Sequence, residues 1–280
     1  MRTDRLHFGI STFLHHERRL AGEHLAAIAA EGFTSIELFA LTTHFDYHDP
    51  AAVEALAGWL SATGLALHSV HAPIAERLAN GVWGPSLSLA DKDRRAAGVR
   101  EAGAALALAG RIPYRYLVVH VGTPDDHVEG VHDNALEQAR RSLEEIHALA
   151  RPLGVELALE VIPNALSSAD ALVRLIDDLE LDDAGVCLDF GHAFLADGVV
   201  DAIETLSGHL VTTHVHDNHG RQDEHLMPFA GRIDWPAALF AMQKIGYEGP
   251  FVLEVAGPDP ADVLRRARQA CRRFEEILAS

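Results

Sequence analysis

Eight short apolar runs, each followed by a longer stretch with helical spacing, recur along the 280 residues of this chain. The runs are His7–Ser11, Ser35–Leu38, Leu65–His71, Tyr116–His120, Glu156–Val161, Gly185–Asp189, Val211–His216 and Phe251–Val255. They are short and mostly aliphatic or β-branched, which predicts strands. Between them, helical spacing runs through Glu23–Glu31, Pro50–Thr63, Asp93–Ala109, His132–Ala150, Ser168–Leu179, Asp201–Leu206, Trp235–Ile245 and Ala261–Leu278. Gly32, Gly64, Gly110, Gly154 and Gly246 stand where those helices should end.

Strict alternation of strand and helix implies a parallel sheet with helices outside it. An open doubly wound sheet would place a glycine-rich phosphate turn after its first strand. The segment ISTFLHHER has none. The expected fold is therefore α/β, a single (β/α)8 TIM barrel domain over residues 1–280; such barrels run to about 250 residues.

Residues two apart in a strand share a face. Seven of the runs carry an ionisable group at or near their C-terminal end, on the inward parity: Glu37, His71, His120, Glu160, Asp189, His214 and Glu254. In barrels of this kind that rim is where active sites sit. Carboxylates crowded into one mouth repel each other, and a bound cation relieves that repulsion. The residue types suit a divalent metal, with Mn²⁺ or Zn²⁺ favoured and Mg²⁺ or Co²⁺ as alternatives. Two local patterns add to this. In LDFGHAF, Asp189 and His192 lie three apart across a turn, and in RQDEHLMP, Asp223 and His225 flank Glu224. By parity, His68 is expected on the outer face of the barrel, opposite to His71.

The formal charge of −18 argues against a broad nucleic-acid interface, which needs a basic face. Nucleic acid is thus not an expected partner. Cys187 and Cys271 form no metal or redox spacing, and no apolar run of about 18 residues occurs. No membrane association and a cytoplasmic setting are the expectation. Apolar outer faces on some helices suggest a homodimer.

Six segments, SVHAPI, VVHVG, LALEVIP, VCLDFGHAF, THVHDNHGRQDEHLMPFAGRIDW and GYEGPFVLEV, resemble the xylose isomerase-like barrel superfamily. That superfamily includes sugar isomerases and epimerases, and the apurinic endonucleases of family 2, the endonuclease IV type. The resemblance covers essentially the whole chain. The epimerase branch implies one metal held by Glu160, Asp189, His214 and Glu254. It also implies that the two glutamates exchange a proton on opposite faces of a metal-bound enediolate, with His192 binding substrate. The endonuclease branch implies three zinc ions on nine ligands: His71, His120, Glu160, Asp189, His192, His214, Asp223, His225 and Glu254. All nine residue types are present here.

Two departures from the ketohexose epimerase pattern are Leu166 in place of a second glutamate and Gly220 in place of an arginine. From the endonuclease pattern the basic and aromatic loop wedges are mostly missing; Arg221 and Arg232 are the arginines near the strand-seven loop.

The expected function is a divalent-metal-dependent isomerase or epimerase of a sugar, sugar phosphate or related polyol. Glu160 and Glu254 would be both ligands and the proton-transferring pair. His192, His216, Glu37 and Trp83 would contact substrate, Trp83 from the long loop ERLANGVWGPSLSLADKD. For Glu37 the competing reading is an anchor of neighbouring loops, and for His216 a place behind the ligands. The alternative function is a trinuclear zinc phosphodiesterase, and a third is a barrel that binds sugar without turnover.

Overall fold

A computed structural model describes residues 6–74, 86–124 and 134–280; Trp83 lies outside the described residues. Eight strands appear: β1 (Phe8–Ser11), β2 (Ser35–Phe39), β3 (Ala66–His71), β4 (Tyr116–His120), β5 (Glu156–Glu160), β6 (Ala184–Asp189), β7 (Leu210–Val215) and β8 (Phe251–Leu253). Each pairs parallel with the next, and β1 pairs with β8, so the sheet closes into the expected (β/α)8 barrel. Around it run α1 (Gly22–Ala30), α2 (Pro50–Thr63), α3 (Lys92–Leu106), α4 (Leu136–Ala150), α5 (Ala169–Asp178), α6 (Phe190–Leu195), α7 (Val199–Thr205), α8 (Trp235–Lys244) and α9 (Pro260–Ala279). None of the described helices is long and apolar enough to cross a membrane.

Strand alternation divides the core in two. Leu117, Val119, Leu157, Leu159, Val186 and Leu188 point outward and are buried under the helices. Tyr116, Val118, Ala158 and Cys187 point inward and form a small separate cluster inside the barrel. That inner cluster lies two to four residues below the ionisable strand ends and fills the space beneath them.

Local chemistry sets the helix boundaries. Side chains of Asp49, Asp91, Ser168, Asp234 and Asp259 accept from backbone N–H groups at the starts of α2, α3, α5, α8 and α9. Gly64 ends α2 at φ 72°, a left-handed conformation that glycine adopts without strain. The helix expected over 93–109 stops at Leu106 and tightens into a 3-10 turn over Ala107–Gly110. The segment after β6, read from sequence as a turn, is the short helix α6. Its N-terminal N–H at His192 is capped by Asp189 Oδ1 at 2.7 Å.

His68 corrects the outer-face expectation. Its Nε2 lies 3.1 Å from Thr212 Oγ1 of β7, and its ring packs against Tyr116. The cause is a β-bulge: Ile36 pairs with Leu67 while Glu37 pairs with Ser69, so His68 is an extra residue and the parity slips there.

A group of histidines sits after β1 and β2, away from the strand-end cluster. His15 and His44 are buried, and both ring nitrogens of His15 and Nε2 of His44 have no hydrogen-bond partner. His44 Nδ1 is 2.7 Å from the Arg18 carbonyl, so it carries the proton and donates. Burial lowers the His44 pKa to about 4, against the pull of that carbonyl. The folded chain therefore refuses a proton that the unfolded chain accepts below about 6.5. Stability should fall as pH drops from about 6.5 towards 4, at about 1.4 kcal/mol per pH unit from this group. His44→Asn keeps a donor for Arg18 and removes the titration. Its loss of stability between pH 7 and pH 5, measured by urea unfolding, is expected to be about 2 kcal/mol smaller than the parent's; equal losses would refute the assignment.

Candidate metal centre

The closed barrel delivers four ligand atoms to one point. Oxygens of Glu160, Asp189 and Glu254 and a ring nitrogen of His214 all lie within 4.8 Å of one another, and all four residues are buried. Neighbouring strands set them side by side: Asp189 is opposite His214 in the β6–β7 pairing, and His120 is opposite Glu160 in β4–β5. β8 ends at Leu253, so Glu254 reaches the group from the first residue beyond the strand.

The tautomer of His214 is set from behind. Its Nε2 is 3.0 Å from Glu37 Oε2, and that oxygen also accepts from Ser69 Oγ at 2.8 Å. The ring proton therefore faces Glu37, and the Nδ1 lone pair faces forward. Nδ1 is buried with no hydrogen-bond partner, although it lies 3.2 Å from Glu160 Oε1, 3.4 Å from Glu254 Oε2 and 3.9 Å from Asp189 Oδ2. An orphaned imidazole lone pair ringed by three carboxylates fits a divalent cation, and a carboxylate behind a ligating histidine is the usual support for one. Glu37 has no exposed surface. It stands behind His214 and holds that ring together with Ser69, a position that neither the substrate contact nor the loop anchor expected from the sequence describes.

Glu160 faces two ways. Oε1 is turned to His214 and to His192 Nδ1 at 3.5 Å, while Oε2 meets His71 Nε2 at 3.1 Å and His120 Nε2 at 3.0 Å. A second group forms beside it. Asp223 Oδ2 contacts His192 Nε2 at 3.2 Å and His225 Nε2 at 3.0 Å. His216, whose Nε2 meets Asp189 Oδ2 at 2.9 Å, has its orphaned Nδ1 3.7 Å from Asp223 Oδ1. His216 is fully buried between Asp189 and Asp223, and with them, His192 and His225 it forms two further groups that could hold an ion. The ring needs the absent side chain of Gly191: a Cβ there would lie 2.0 Å from its Cε1.

Charges across this network are strongly shifted. Burial resists ionisation of Glu160, yet the imidazoles of His120 and His214 hold its carboxyl well below the usual range. Burial likewise opposes a proton on His192, yet Asp189 and Asp223 raise it well above the ordinary value. His214 is raised in the same sense, against burial, by Cys187, Glu254, Glu37 and Glu160, so without an ion its Nδ1 also holds a proton, which an ion would displace to reach the lone pair. Protons on these imidazoles and a divalent ion compete for the same carboxylates. Ion binding should therefore expel protons, and affinity should fall as pH drops. Calorimetric titration with Zn²⁺ in two buffers of different ionisation enthalpy is expected to show net proton release, and identical heats would contradict this.

Asp223 and His225 ride on the loop between β7 and α8, and one buried carboxylate organises that loop. Asp217 accepts from the backbone N–H groups of Asn218 (2.9 Å), Phe229 (3.0 Å) and Ile233 (3.1 Å), and from Trp235 Nε1 (2.9 Å). Its backbone forms an antiparallel bridge to Leu226. Gly231 lies so close that a Cβ would sit 2.3 Å from Asn218 O and from Asp217 Oδ1. Neither Asp217 nor Gly231 stood out in the sequence. The only signal was an aspartate directly after the HVH of strand seven, and an acid that binds backbone looks no different from one that binds solvent. Arg221 and Arg232 on this loop are exposed, as expected for solvated charge.

The family model described as xylose isomerase-like TIM barrel matches residues 25–276. The chain belongs to this family. Among relatives of the family, the uncharacterized protein y4fM of Sinorhizobium fredii (strain NBRC 101917 / NGR234) is 31% identical over 238 residues, covering 78% of this chain and 76% of that protein. A crystal structure of a D-tagatose 3-epimerase-like protein superposes with a TM-score of 0.80 at 23% identity, covering 98% of this chain and 97% of that one. The structure of the IOLI protein with a bound zinc atom superposes with a TM-score of 0.78 at 16% identity, covering 98% of each chain.

Proposed function

We propose that this family member is a divalent-metal-dependent isomerase or epimerase acting on a sugar or related polyol. The observation that carries the reading is the placement of two buried carboxylates, Glu160 and Glu254, 3.2 and 3.4 Å from the orphaned Nδ1 of His214. Glu160, Asp189, His214 and Glu254 would hold the ion. When bound, a divalent ion polarises a carbonyl and lowers the cost of removing the proton beside it. Glu160 and Glu254 then act as base and acid at that carbon, each holding the proton that the other does not. Glu37 keeps His214 in register, and His192, within reach of both Glu160 and Asp223, orients a substrate hydroxyl. The likeness to the D-tagatose 3-epimerase-like protein supports this reading.

One observation favours a second reading, the trinuclear zinc phosphodiesterase. His71 and His120 meet the far oxygen of Glu160, and His192, Asp223 and His225 form their own group, so all nine ligands of that class converge. Metal content separates the two. Protein purified without a polyhistidine tag and loaded with Mn²⁺ or Zn²⁺ is expected to hold one tightly bound ion per chain. It should also exchange solvent deuterium into the carbon beside the carbonyl of a ketose. Three zinc ions with cleavage of a phosphodiester, and no exchange, would replace the first reading with the second.

A further inference from the structure

The cavity above the metal centre has a volume of about 210 Å³ and two unlike parts. Its floor is the network of carboxylates and imidazoles already described. Its walls are carbon: Phe13, Phe39, Ile74, Pro124, Pro163 and Leu195. Phe13 meets Phe39 edge-on, with ring centroids 5.1 Å apart and planes at 72°. Phe13 also lies 4.6 Å from the His225 ring, and Phe39 lies 5.1 Å from that of His71. The aromatic pair is thus fixed against histidines of the floor at two points, and it forms a firm wall. Every polar side chain among the described lining residues belongs to the floor, and none of those residues is a lysine, arginine, amide or hydroxyl.

A sugar hydroxyl moved from water onto such a wall loses its hydrogen bonds and gains none in return. A phosphate at the far end would fare worse, since it would set a charged group against the carbon walls with no lysine or arginine among the described lining residues to meet it there. We infer that the site takes an uncharged hydroxycarbonyl compound whose two adjacent oxygens face the floor and whose far end is apolar. A deoxy sugar meets that description; its fully hydroxylated or phosphorylated counterpart does not. Phe13 and Phe39 set the preference. The inference rests on the proposed function for which end of the substrate faces the ion, but binding alone tests it.

The measurement is calorimetric or NMR binding to the zinc-loaded protein of the 6-deoxy, unmodified and 6-phosphorylated forms of fructose and of tagatose. In at least one series the 6-deoxy compound is expected to bind on the order of 10- to 100-fold more tightly than the unmodified sugar, with the phosphate weakest. Phe13→Asn should bring that ratio close to one, and Phe13→Leu, which keeps a carbon surface, should preserve it, with zinc content checked in both variants. Equal or tighter binding of the unmodified sugar or the phosphate, or no binding in either series, overturns the inference. A preference that Phe13→Asn leaves intact removes Phe13 from it. Deuterium exchange is scored separately. Tight binding of the deoxy sugar without exchange overturns the isomerase reading and leaves the cavity assignment standing.

Discussion

Glu160→Gln is expected to cut solvent-proton exchange into a ketose by about 10³-fold and to lower bound metal below one ion per chain. The side chain is fully buried between four imidazoles, with His214 and His192 on one oxygen and His71 and His120 on the other. A neutral amide keeps the volume and removes the charge that all four lean on. It also turns one end of the group from acceptor to donor, against rings that already carry protons. Glu254→Gln provides the contrast, because among the described residues the imidazoles that Glu254 meets are two, His214 and His225 (3.4 and 3.9 Å), against four for Glu160. That variant should retain much of its metal while losing exchange to a similar degree. The pair of measurements separates holding the ion from moving the proton. Full exchange in Glu160→Gln would sink the assignment of that residue.

Asp217→Ala should destabilise the protein by about 3–5 kcal/mol, although Asp217 makes none of the contacts that define the metal centre. Its removal leaves three backbone N–H groups and an indole N–H without their acceptor in a region sealed from water. The loop those donors fold also holds His225 at φ 44° and Phe229 at φ 71°, both in the left-handed region that non-glycine residues avoid. Without the carboxylate, little compensates for that strain. Asp223 and His225 should then detach from His192, and zinc affinity should fall with stability. Urea unfolding of the metal-free protein reads the first effect, and zinc titration reads the second. A variant as stable as the parent would show that Asp217 does not organise the loop.

Much of this molecule was legible before any coordinates. The alternation of strand and helix is a local signal repeated eight times, and the inward parity of Glu160, Asp189, His214 and Glu254 follows from a period of two that the strands obey at those positions. Legibility failed where the period broke. The extra residue in β3 turns His68 into the barrel, and no glycine or proline marks it. The depth of Glu37 and His216 was equally hidden. Both share the inward parity of the ligands, and only the contact of Ser69 with Glu37, and the closeness of Gly191 to His216, shows how far each ring or carboxylate is sealed in. Phe13 and Phe39 went unnoticed because an aromatic near a strand end reads as ordinary core until the opposite wall is known.

The plug of Tyr116, Val118, Ala158 and Cys187 fills the barrel beneath the proposed metal centre. Under the proposed function an ion and a sugar would reach that centre over the same C-terminal rim, and a seated sugar would stand between the ion and solvent. A chelator should therefore strip zinc more slowly from protein saturated with ligand than from protein alone.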